Sequence, residues 1–266
     1  MYTFNYHRPT TLDEARELFQ EAEDGIYLAG GQTLIPTMKQ RLAAPSDVID
    51  LARVDGLDGI GVSAEAVSVG AFTRHAEVAA HEGIRATLPA LAALAECIGD
   101  AQVRNRGTLG GSVANSDPAA DYPAAVIGLG ATIHTDRRAI AADEFFRDLF
   151  ETALDPGEII TRIDFPVPTR AAYRKFAHPA SRYAVVGVLI ADFDGDIRVG
   201  ITGAGPCAFR GTAMEQALEG NVTPAALEGV EVPDAGFNSD LFASADYRAH
   251  LVKVMARRAL EDLVRA

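Results

Sequence analysis

Two short segments constrain this chain more than anything else in it: "LAGGQTLIP" at residues 28–36 and "GTLGGSVANSDP" at residues 107–118. Each sets a Gly-Gly pair beside a hydroxyl residue and a small apolar residue, between an apolar stretch and a segment able to turn helical. Glycine tolerates positive φ and lets a ligand come against bare backbone, so Gly-Gly leading into a helix can present several N–H groups in one concave patch. Such a patch suits phosphate, and the dipole of the helix that follows favours an anion by about 0.3–1 kcal/mol. Turns and helix caps also use glycine, so the pairs alone leave a purely conformational role open. Neither segment is GxGxxG or GxxxxGK[ST], which sets aside an ordinary Rossmann or P-loop site.

The first pair sits in what reads as a small alternating unit. Thr11 followed by Glu14 is a capping box, and Leu12, Ala15, Leu18, Phe19 and Ala22 recur at helical spacing. "IYLA" (26–29) is a short buried strand running into Gly30-Gly31, a helix is expected over 33–42 with Pro36 in its first turn, and "VIDLA" (48–52) is the next strand. The texture then changes. "GIGV" and "AVSVGA" flank the polar turn 63–65 as a hairpin, and residues 73–96 are mostly helical, broken near Gly83 and Pro89. Beyond the second pair, "AAVIGLGATIHT", "DEFFRDLF" and "EIITRIDFPVP" predict strand, short helix and strand. After Pro166 and Pro168, "YAVVGVLIADF" and "DIRVGITGA" straddle Asp194-Gly195 as a tight hairpin, and helices are expected near 211–219 and 244–265. The expected fold is α+β, in units at 1–55, 56–169 and 170–266, the last a small domain of sheet plus helices.

At 266 residues, 48% hydrophobic and 23% charged, the composition is that of a folded protein. A formal net charge of -13 argues against nonspecific binding to nucleic acid or anionic membrane, so any anion has to be held locally. Cys97 and Cys207 form no CxxC pair and are too few for a protein-bound iron–sulfur cluster. The histidines, at 7, 75, 81, 134, 178 and 250, never fall into HxxxH or beside Cys at ligand spacing, so no metal site is expected. No GxSxG elbow occurs and Asp143-Glu144 reads as an exposed helix start, so no catalytic residue is assigned. "MYTFNYHRPTT" has no apolar core of signal-peptide type and the uncharged run 122–135 is too short to span a bilayer. The expectation is a cytoplasmic protein without membrane insertion.

"YHRPTTLDEARELF", "LAGGQTLIPTMKQRLAAPSDVIDL", "VGAFTRHAEV", "IGDAQVRNRGTLGGSVANSDPAADYPAA" and "YRKFAHPASRYAVVGV" together resemble successive landmarks of the FAD-binding medium subunit of molybdenum hydroxylases. That group includes the molybdenum-copper carbon monoxide dehydrogenases and xanthine dehydrogenase. The resemblance extends over essentially the whole chain. It implies a two-part FAD-binding domain of the vanillyl-alcohol-oxidase type followed by a C-terminal medium-subunit domain, with both glycine loops closing on the pyrophosphate of one noncovalent FAD.

Residue by residue, the resemblance places Ala29, Gly30, Gly31, Gln32 and Thr33, with Leu34 beside them, in one phosphate loop, and Thr108, Leu109, Gly110, Gly111 and Ser112 in the other. Asn115 and Asp121 match polar positions near the cofactor, where an Asp can hydrogen-bond ribityl or ribose hydroxyls. Tyr183 matches a tyrosine that approaches the flavin ring from the third unit; without the resemblance it reads as a half-buried strand aromatic. Thr33 stands where the family often has Ser, which keeps the hydroxyl. Ser112 stands where the family often has Asn or Asp, which shortens that side chain's reach. Arg104 and Arg106 flank the second loop and suit either phosphate neutralisation or a solvated surface.

The function this implies is electron transfer. A large molybdopterin-binding subunit oxidises substrate, a small subunit passes electrons through iron–sulfur clusters, and FAD in this subunit delivers them to an external acceptor, in a dimer of heterotrimers. Molybdopterin and the clusters would belong to the partners alone. Two other expectations compete: a self-sufficient flavin oxidoreductase acting directly on a small substrate, and a non-enzymatic scaffold whose glycine loops are structural.

Overall fold

The computed structural model describes residues 1–265. Its first part runs β1 (Asn5–His7), α1 (Leu12–Glu21), β2 (Gly25–Leu28), α2 (Leu34–Lys39) and β3 (Asp47–Asp50), with the three strands parallel in the order β1-β3-β2. Thr11 caps α1 by accepting from the Glu14 N–H at 3.2 Å; the Glu14 carboxylate reaches back to the N–H of Thr10, one residue before the expected partner. Ala15 of α1 packs with Ile49, Leu51 and Ile159 in a small core. Leu28 pairs with Asp50 at the end of the ladder, so the chain leaves the carboxyl end of a parallel strand at Ala29. Open α/β sheets hold ligands at that end.

The second part carries β4 (Ile60–Val62) and β5 (Ala66–Gly70), then α3 (His75–Ala80), α4 (Glu82–Thr87), α5 (Pro89–Glu96), α6 (Ala101–Arg104), α7 (Leu109–Asn115) and α8 (Tyr122–Gly128). It continues with β6 (Thr132–Thr135), β7 (Ala139–Ala141), α9 (Ala142–Phe145), β8 (Phe146–Asp148), β9 (Glu151–Thr152) and β10 (Ile160–Pro166). Five strands form an antiparallel sheet in the order β4-β5-β10-β6-β7, and the helices cover it around a core that includes Leu91, Leu94, Tyr122, Ile133 and Phe165.

Two expectations fail here. "AAVIG" (124–128) belongs to α8 and not to a strand, because Pro123 in the first turn starts a helix and Gly130, at φ 61°, follows its end before β6. An apolar run buried on every side gives no period to choose between helix and strand. "DEFFRDLF" is helical for one turn only, after which Phe146 enters β8.

The third part is β11 (Arg170–Ala177), β12 (Ala184–Phe193), β13 (Asp196–Thr202), β14 (Phe209–Arg210), α10 (Thr212–Leu218) and α11 (Ala245–Arg265), an antiparallel sheet with two helices. Asp194 (φ 59°) and Gly195 (φ 99°) make the expected hairpin turn between β12 and β13. β12 is buried from Ala184 to Asp192 because α8 covers one face of the sheet and α11 the other. The α8 contact is backbone on backbone: a β-carbon on Gly200 would lie 2.1 Å from the carbonyl oxygen of Ala124. Among the described residues, no helix is long and apolar enough to cross a membrane.

Candidate functional site

A cleft of about 770 Å³ runs between the parallel unit and the antiparallel unit, a size suited to a large organic ligand. Both glycine loops line it, together with Asn115, Asp121 and Tyr183. Of the residues that the resemblance places at the cofactor, Leu109 alone does not line the cleft; its side chain is fully buried in the core beneath.

The loops meet each other. A β-carbon on Gly30 would lie 2.1 Å from the Arg106 carbonyl oxygen, and one on Gly111 would lie 3.1 Å from the β-carbon of Ala29. Gly31 holds φ 73°, which glycine adopts without strain. The pairs are therefore needed first to bring two backbones together.

Chemically the loops are unequal. In the second, the N–H groups of Leu109 and Gly110 donate to the carbonyls of Thr73 (3.0 Å) and Ala71 (2.8 Å), that of Gly111 to the Thr108 hydroxyl (3.2 Å), and that of Ser112 to the Thr108 carbonyl (3.1 Å). Those donors are spent on the fold. In the first loop the N–H groups of Gly30, Gly31, Gln32, Thr33 and Leu34 have no protein acceptor among the described residues. Five successive donors without a protein acceptor at the end of a parallel strand are backbone able to receive an anion, the group that the chain's net charge of -13 would otherwise repel.

Asp121 is more committed than its sequence position suggested. It is buried, accepts from the Tyr173 hydroxyl at 2.6 Å, and pairs with the Lys175 ammonium at 2.9 Å. Burial pushes its carboxyl up, and Lys175 and Tyr173 pull it back toward the ionised form. Lys175 also donates to the carbonyls of Cys97 (2.9 Å) and Arg182 (2.8 Å), so one ammonium ties α5 to the turn before β12. The Cys97 thiol, pushed up to about 12 by burial, is inert. Tyr183 is 45% exposed at the mouth of the cleft, on a tight turn closed by the His178 N–H to Tyr183 carbonyl bond.

Arg104 does not face a ligand. Its guanidinium donates to the carbonyls of Ile98 (3.0 Å) and Gly99 (3.2 Å) and so shapes the cleft wall, while the Arg106 side chain is exposed. Sequence reasoning missed His75, which lines the cleft beneath the second loop. Its only sequence signal lay in "VGAFTRHAEV", where it was weighed as a metal ligand alone.

Residues 2–168 match the family model described as the FAD binding domain in molybdopterin dehydrogenase. The chain belongs to this family. Over 98% of its length and 98% of the relative's, this FAD-binding subunit is 33% identical to the glyceraldehyde dehydrogenase medium chain of Sulfolobus acidocaldarius. It is 34% identical to the nicotine 6-hydroxylase medium subunit of Paenarthrobacter nicotinovorans, over 97% of this chain and 96% of the other. Its fold matches a chain of the carbon monoxide dehydrogenase of Hydrogenophaga pseudoflava with a TM-score of 0.90 at 34% identity, covering 98% of this chain and 97% of that one. The FAD-binding subunit is thus an oxidoreductase component of the molybdenum hydroxylase type, the part of such an enzyme that carries the flavin. Its cleft fits that cofactor: a diphosphate needs several donors in one place, and the first loop has five to give.

Proposed function

We propose that the first glycine loop, through the free N–H groups of Gly30 to Leu34, holds the FAD diphosphate noncovalently, and that the second loop acts as its rigid wall. The row of unpaired donors facing a saturated loop is the observation that carries this reading. When bound, FAD supplies the one- and two-electron chemistry of the subunit. The chain's own residues bind and orient it: Thr33 and Ser112 offer hydroxyls at the loops, Ala29, Thr108, Gly110 and Gly111 keep the walls flat, Asn115 lines the same cleft, and Tyr183 meets the ring at the mouth. Leu109 supports the second loop from the core. Asp121 contributes through its buried ion pair with Lys175, which braces the wall it lines.

In this reading the units are 1–55, 56–169 and 170–266, and the cleft between a parallel and an antiparallel sheet supports a two-part FAD domain of the vanillyl-alcohol-oxidase type. The partners are a large molybdopterin subunit and a small iron–sulfur subunit, assembled as a dimer of heterotrimers in the cytoplasm. Electrons enter from the clusters and leave to an external acceptor. The test is reconstitution. The purified chain should bind one FAD, contain no iron or molybdenum, and show flavin reduction by substrate only after both partners are added. Failure to bind FAD, or turnover by the chain alone, would reject the proposal.

A further inference from the structure

We infer that His75 is a further cofactor-contacting residue, whose imidazole Nε2 hydrogen-bonds FAD from beneath the second glycine loop. This rests on the reading of the cleft as the FAD site. The ring is 5% exposed, and Nδ1 is buried with no hydrogen-bond partner. Nε2 likewise makes no hydrogen bond to the protein among the described residues, while the residue lines the cleft. The ring is held firmly. Its backbone N–H donates to the Gly107 carbonyl at 3.0 Å, and its ring lies tilted against that of Tyr122 with centroids 5.3 Å apart. A β-carbon on Gly107 would lie 2.5 Å from Nε2, so glycine at 107 leaves the space this nitrogen occupies.

A fixed, buried imidazole without partners is unfavourable unless something satisfies it when a ligand arrives. Burial, with Arg104 nearby, lowers its pKa to about 4, so the ring is neutral near pH 7 and offers one N–H and one lone pair. Its neighbours in the cleft, Ile98, Gly99 and Val103, form the wall that Arg182 reaches with a 3.5 Å bond to the Gly99 carbonyl, next to Tyr183. Gly107, whose β-carbon would meet Nε2, also packs on Gly30, so His75 lies behind the junction of the two loops.

The full chain carrying His75→Leu or His75→Gln tests this by two readouts: FAD affinity from fluorescence quenching and the melting temperature of the FAD-free protein. His75→Leu should leave that melting temperature unchanged or raised, because it removes an unpaired buried polar group, yet weaken FAD about 10-fold. His75→Gln should recover part of that affinity. FAD affinity within about twofold of wild type in His75→Leu would make the imidazole a packing group only and overturn the inference. Absence of FAD binding by the wild-type chain would instead reject the reading of the cleft. Should neither variant fold, 15N NMR of the wild-type chain decides: addition of FAD should move the ring nitrogens of a histidine still neutral at pH 5, and no such movement would overturn the assignment.

Discussion

Gly30 faces the carbonyl oxygen of Arg106 so closely that a β-carbon at residue 30 would sit 2.1 Å from it. Backbone cannot yield as a flexible side chain can. Gly30→Ala should therefore wedge the loops apart, cost roughly 1–3 kcal/mol, and lose FAD with the loop geometry. At Gly111 the nearest atoms are the Thr108 hydroxyl at 2.8 Å and the Ala29 β-carbon at 3.1 Å, and alanine also favours the helix. Gly111→Ala should cost about 1 kcal/mol or less. Equal melting temperatures for the two variants would show that contact between the loops is not what residue 30 protects.

Lys175 and Asp121 form a buried pair whose members cannot be removed singly. Lys175→Met leaves a carboxylate in the core without its cation and should destabilise the chain by roughly 3–5 kcal/mol in chemical denaturation. Adding Asp121→Asn removes the stranded charge, so the double variant should regain more than half of that loss. A single-variant loss below about 1 kcal/mol would mean that water or protonation already relieves the site.

How much of this was legible in the sequence depends on where the signal was local. The Thr11 cap, the strand into Gly30-Gly31 and the Asp194-Gly195 hairpin each rest on a few adjacent residues, and each is found where the pattern put it. α8 was misread because a helix buried between two sheets has no polar face to mark its period. β11 went unnoticed because Arg174 and Lys175 interrupt its apolar run, and those charges are answered only by Asp262 and Asp121 far along the chain. The inequality of the glycine loops could not be read at all. It depends on Ala71 and Thr73 presenting their carbonyls to the second loop, a tertiary contact that leaves no trace in spacing.

The two loop threonines look alike in sequence and differ in work. Thr108 is buried and its hydroxyl accepts the Gly111 N–H at 3.2 Å as the cap of α7, whereas Thr33 is exposed and caps nothing through its side chain. Thr108→Ala should cost about 0.5–2 kcal/mol of stability. Thr33→Ala should leave stability within about 0.5 kcal/mol and lower FAD affinity only. Thermal melts with and without FAD separate the two effects, and a Thr33→Ala protein destabilised as much as Thr108→Ala would contradict the assignment.

The same site sets a pH dependence whose sign can be worked out. His75 titrates near 4 when folded against an ordinary value of 6.5, so on acidification the unfolded chain takes up this proton first. Its contribution is fully present above about pH 6.5 and is lost as pH falls toward 4, a loss of about 3 kcal/mol at most. Glu158 acts in a lower window. The Arg138 guanidinium, with the Asp155 N–H and the Thr135 hydroxyl, holds its carboxyl at about 2 against an ordinary 4.5, so its contribution is present above about pH 4.5 and disappears only as pH falls toward 2. Denaturation of the FAD-free chain at pH 7, 5.5 and 4.5 should show stability falling with acid. His75→Leu should flatten that fall and leave the lower window intact. Parallel pH profiles for the variant and the wild type would mean that the imidazole is already protonated or already paired in the folded chain.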